Sequence, residues 1–75
     1  MTDEEAIERR VRDELYAKAV DEIAQRVHMA WCYPVWSESL LQLASGMTVF
    51  AASLFGVSSD EVTDAVSERV EAMDR

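Results

Sequence analysis

Proline occurs once in this chain, at position 34, and glycine twice, at 46 and 56. These residues break regular backbone most readily, so a helix once begun here has few places to stop. From Thr2 to about Trp31 neither occurs, and most residues are good helix formers. Thr2 and Glu5 have the spacing of a capping box, in which hydroxyl and carboxylate satisfy free amides at a helix start. Pro34 closes this segment, because the residue before a proline disfavours helical dihedrals. Ser37, or Ser39 with Gln42 three residues on, can cap a second helix running to about Phe55. Gly56 followed by Val57 has the form of a left-handed C-cap with its hydrophobic contact. Ser58 and Glu61 repeat the capping box and open a third helix. Nothing alternates like a strand, and no segment repeats. The expectation is an all-α fold, one domain over residues 1–75, with a long N-terminal helix, an apolar central helix and a short acidic C-terminal helix.

Within the first helix the apolar residues fall on two stripes. Tyr16, Val20, Ile23, Val27 and Ala30 alternate at steps of four and three, a heptad-like seam. Ile7, Val11 and Leu15 recur at four-residue steps. At 100° per residue, Ile7 and Val11 point roughly 160–200° away from Val27. The N-terminal half therefore offers its apolar side to something other than what the C-terminal half packs on. In the second helix Leu40, Leu43, Ala44, Met47, Phe50, Ala51 and Leu54 make one broad apolar arc. The small side chains of Ser45, Gly46, Ala52 and Ser53 lie opposite, so this helix is expected to be buried on nearly all sides. Val62, Ala65, Val66, Val70 and Met73 form a narrow stripe on the third helix.

Size and charge bound what such a chain can do. A core of 75 residues rarely supplies more than about 3–5 kcal/mol without a disulfide, a metal or a partner. Cys32 is the only cysteine, which excludes an intramolecular disulfide and suits a reducing compartment. The N-terminus is acidic where a secretory signal would be basic, and a cytoplasmic location is expected. Self-association, as a dimer, is the most economical source of added stability. The formal charge of -8, from 15 acidic and 7 basic residues, opposes contact with nucleic acid and anionic lipid and favours solubility or a basic protein partner.

No set of residues carries chemistry. His28 and Cys32 are four apart and share a helix face with Asp21, the spacing of two zinc ligands. A structural site needs four ligands, and no second pair follows. A thiol nucleophile on the same pair lacks an orienting third group and an oxyanion hole. No enzyme activity, metal or cofactor is therefore expected. Trp31, Tyr33 and Trp36 crowd the turn around Pro34. They read either as a plug at the end of the core or as a binding patch, since tryptophan and tyrosine dominate binding hot spots.

The segment Ala52 to Val62 resembles a helix-turn-helix in Ala52, Gly56, Val57, Ser58 and Val62. The resemblance implies that the alanine permits close helix packing, the glycine makes the turn and Val62 faces the core. Ser59, Asp60, Thr63, Asp64 and Ser67 stand where that family meets DNA, and none is basic. Two further alternatives stay open. Ser39 to Ser59 is an uncharged stretch of 21 residues, long enough for a single membrane span flanked by the aromatic turn. Asp60, Glu61, Asp64, Glu68, Glu71 and Asp74 crowd one short helix, and spaced carboxylates can imitate a phosphate track. The preferred reading is a small acidic helical interaction module that self-associates and acts by binding. Ile7, Val11 and Leu15 form its chain–chain contact, and Trp31, Tyr33 and Trp36 form a second.

Overall fold

Thr2 holds an extended backbone and its hydroxyl accepts the Glu5 amide at 3.2 Å, so helix begins at Asp3. The computed structural model describes residues 2–74. The chain is 92% helical, with three α-helices and no strand among the described residues. Helix α1 spans Asp3–Cys32, a single 3-10 turn spans Pro34–Trp36, α2 spans Ser37–Phe55 and α3 spans Ser59–Met73. The Tyr33 amide returns to the Met29 carbonyl at 2.8 Å and ends α1 one residue before the proline. Gly56 takes φ 68° and ψ 33°, and the Val57 amide reaches back to the Ala52 carbonyl at 3.0 Å. That is the C-cap expected from the Gly-Val pair. Ser58 then accepts the Glu61 amide at 3.1 Å and starts α3.

One cap differs from expectation. Neither Ser37 nor Ser39 caps α2; Trp36 holds that position without a side-chain bond. The reason is that the 3-10 turn feeds directly into the helix, with the Ser37 amide already bonded to the Pro34 carbonyl.

The helices run up, down and up. α2 returns along α1, so the Phe55 ring stands edge-on to Tyr16 with centroids 5.3 Å apart. The Arg12 guanidinium donates to the Phe55 carbonyl and satisfies one of the free acceptors at the end of α2. α3 then runs beside both. Arg69 donates to Asp21 at 2.8 Å, tying the C-terminal half of α3 to that of α1. The core is thin: Val20, Ile23, Ala24, Ala44, Ala51, Ala52, Phe55, Val62, Val66 and Val70 are buried. Tyr16 and Val27 pack half-buried against it, so the seam on α1 and the stripe on α3 both face inward as their spacing predicts.

α2 departs from its expected burial. Ala44, Ala51, Ala52 and Phe55 face the core, whereas Leu43, Phe50 and Leu54 are exposed. Of the small residues on the far side only Ala52 is buried; Ser45, Gly46 and Ser53 meet solvent. The cause is geometric. Alanines at the contact let α1 and α3 approach α2 closely, and two neighbours can cover only part of a helix whose apolar sector is this broad. The outcome is an elongated slab, with extents of 50 × 26 × 16 Å.

Candidate interaction surfaces

Two grooves flank α2, and they differ in the charge of their rims. The first lies between the N-terminal half of α1 and the uncovered side of α2. Its volume is about 1000 Å³, and its walls are Ile7, Val11 and Leu15 on one side and Leu43, Phe50 and Leu54 on the other. Ala19, Gly46 and Ala51 form a low floor between these larger side chains. Ile7, Val11 and Leu15 are 47–62% exposed, as a row pointing away from the core seam requires. The charges that border this groove are of both signs, Glu8 and Glu22 with Arg12.

The second groove, of about 520 Å³, is lined by α2 and α3 together with Ile23, Val27 and Trp31 of α1. Trp31 and Leu41 close one end, and Ala44, Val66 and Val70 form its floor. Thr48 and Thr63 line its sides, but each hydroxyl donates to a carbonyl of its own helix at 2.8 Å. Neither hydroxyl proton is left free for a ligand in the groove. Glu71 is the charged residue in its lining.

The three sequence-predicted residues of α1 are brought together by the fold, and the aromatic ones are not brought to them. Trp31, Tyr33 and Trp36 are 56–64% exposed, so they do not plug the core end. Trp31 enters the α2–α3 groove. Trp36, Leu43 and Phe50 are spaced seven apart, which places Trp36 in line with the outer wall of the first groove. Reading the sequence alone missed Leu43, Phe50 and Leu54 as surface residues. The available signal was the alanine-rich arc beside them, which suits closer helix contact than leucine and phenylalanine do.

The polar candidates stay apart from both grooves. Cys32 Sγ lies 3.8 Å from His28 Nδ1, and His28 Nε2 lies 3.4 Å from Asp74 Oδ1. Among the described residues no three histidine, cysteine or acidic side chains gather as metal ligands would. The residues that carry the helix-turn-helix resemblance take the packing places it implies, with Ala52 and Val62 buried and Gly56 in the turn. Ser59, Asp60, Thr63, Asp64 and Ser67 on α3 all face solvent. The uncharged stretch is not one helix over 39–59, because Gly56 turns the chain after Phe55. Pro34–Phe55 still has the length and mean hydropathy of 1.2 that a span needs, and only 17% of its most apolar window is buried. No family model matches this chain, and no curated protein or solved structure matches it.

Proposed function

We propose that this chain is a cytoplasmic interaction module whose first act is to pair with a second copy of itself across the groove between α1 and α2. The observation that carries the reading is the open row Ile7, Val11, Leu15 facing Leu43, Phe50 and Leu54. The surface area supports it. A compact monomer of 8.5 kDa has roughly 4,650 Å² of accessible surface. This protomer has 5662 Å². The excess, on the order of 1,000 Å², is close to the ~800 Å² that each partner buries in a standard interface. Its radius of gyration, 13.9 Å, likewise exceeds the roughly 11 Å of a compact domain of this length.

A symmetric pair also requires a self-complementary surface. The α1 row has that property. With two arms antiparallel and centred on Val11, Ile7 of one faces Leu15 of the other, and Glu4 faces Lys18. The rim charges there, Glu8 and Glu22 with Arg12, sum to only -1 per copy, although the whole chain carries -8. A transmembrane role for α2 is disfavoured by the same packing. Asp21, Arg69 and the carboxylates of α3 run alongside it and would enter the hydrocarbon with it.

Analytical ultracentrifugation of the wild type across a concentration series tests the reading, with Val11→Glu as the comparison. The expected result is a concentration-dependent dimer that the added carboxylate dissociates, since it places an unpaired charge in an apolar seam. A wild type that stays monomeric at high concentration overturns it.

A further inference from the structure

We propose that the second groove, between α2 and α3, receives a basic amphipathic helix from a partner protein. This inference is independent of the self-association above. The groove's floor is apolar: Ala44, Val66 and Val70, closed at one end by Leu41 and by the exposed indole of Trp31. Its side walls add Thr48 and Thr63, whose hydroxyl protons are spent on their own helices. A cleft bounded by two helices accepts a third by the interlocking of side-chain rows, with apolar anchors three, four and seven residues apart. From Thr63 to Glu71 the α3 wall runs about 12 Å, two to three helical turns of a bound segment.

The charge of the rim selects the partner. Asp60, Asp64 and Glu71 are spaced four and seven apart, so they form one exposed stripe along α3 beside Thr63 and Ser67. Glu38, also exposed, stands at the start of α2. Among the described residues α2 has no cation and α3 has one, Arg69, whose guanidinium is held by Asp21 of α1 at 2.8 Å. A second copy of this chain would bring its own carboxylates to a rim of like sign, at a cost. A helix with leucine on one face and lysine or arginine on its flanks meets apolar floor and acidic rim together. The two grooves thus divide their occupants by charge: mixed signs for self-pairing, a single sign for a basic partner.

The experiment uses two synthetic helical peptides of identical leucine spacing, one flanked by lysine and the other by glutamate. Each is titrated into the full chain carrying Trp36→Phe, so that Trp31 alone reports by fluorescence, and the site is mapped by backbone amide shifts. The lysine peptide is expected to bind at least tenfold more tightly than the glutamate peptide, to shift Trp31 emission to the blue and to perturb Thr48, Thr63 and Ser67. Asp64→Lys with Glu71→Lys should weaken it at least tenfold, whereas Asp13→Lys with Glu14→Lys, the same charge change at exposed positions of α1, should leave site and emission shift unchanged. Equal weakening by both pairs would show attraction to net charge alone, and overturns the proposal. So does equal binding of the two peptides, absence of binding, or shifts confined to the Val11 and Leu15 side.

Discussion

Phe50→Ala separates the interface from the protomer. Phe50 is 68% exposed in the single chain, so truncating it removes little from the core. Fully burying a side chain of this kind is worth about 1.5–3 kcal/mol. Covering the exposed two-thirds is therefore worth roughly 1–2 kcal/mol per copy, and a symmetric pair loses it twice, about 2–4 kcal/mol. That corresponds to a dimer Kd weakened by roughly 30- to 900-fold. Sedimentation equilibrium over three decades of concentration measures the change directly. Circular dichroism at high dilution should show wild-type helicity and a melting temperature equivalent to within about 0.5 kcal/mol, as for other surface substitutions. Two results refute the reasoning. An unchanged dimer Kd would place the interface elsewhere, and a fall in melting temperature at high dilution would make Phe50 part of the protomer's own stability.

Glycine substitutions should act with opposite signs. Nothing lies within 4 Å of a Cβ built at either site, so both effects are those of backbone conformation alone. Gly56→Ala forces a side chain into φ 68° and should cost about 1–2 kcal/mol, several degrees of melting temperature. Gly46→Ala lies inside α2 and should stabilise by about 0.5–1 kcal/mol. Equal and like-signed shifts in thermal melts would contradict the assigned conformations. The Asp21 carboxyl is held below its ordinary value of 3.8, chiefly by its hydrogen bond from Arg69; burial opposes this, and the charge of Arg69 and a hydrogen bond from Gln25 lower it further. Its contribution to stability is present above pH 3.8 and is lost as pH falls through the lowered folded value. Urea unfolding should therefore weaken less between pH 6 and pH 3 in Asp21→Asn than in the wild type; parallel losses would remove Asp21 from the acid response.

The helices were legible because their boundaries are local chemistry. Thr2, Pro34, Gly56 and Ser58 act within a few residues of themselves, and each ends or begins a helix where its type requires. The seam of α1 and the stripe of α3 were legible for a similar reason, since each has one apolar side and only one way to face. α2 has too much apolar surface for its pattern to choose a side. Which part is covered depends on where α1 and α3 lie, and a single helix's sequence does not encode that. The open row Ile7, Val11, Leu15 was readable because it is out of phase with the seam on the same helix. Its opposing wall was not, because Leu43, Phe50 and Leu54 look like core residues until the alanines beside them are seen in contact. Arg12 escaped notice altogether: its partner is a backbone carbonyl 43 residues away.

That bond has a consequence for whatever settles beside it. Arg12 adjoins Val11, and the carbonyl it holds belongs to the residue after Leu54, so the latch sits at the lip of the α1–α2 cleft. Helix ends ordinarily fray, and a visitor must then meet the entropic cost of stilling them. Here the last turn of α2 is already fastened to the neighbouring helix. Docking would proceed between preformed surfaces, without the large heat signature of a segment that folds as it binds.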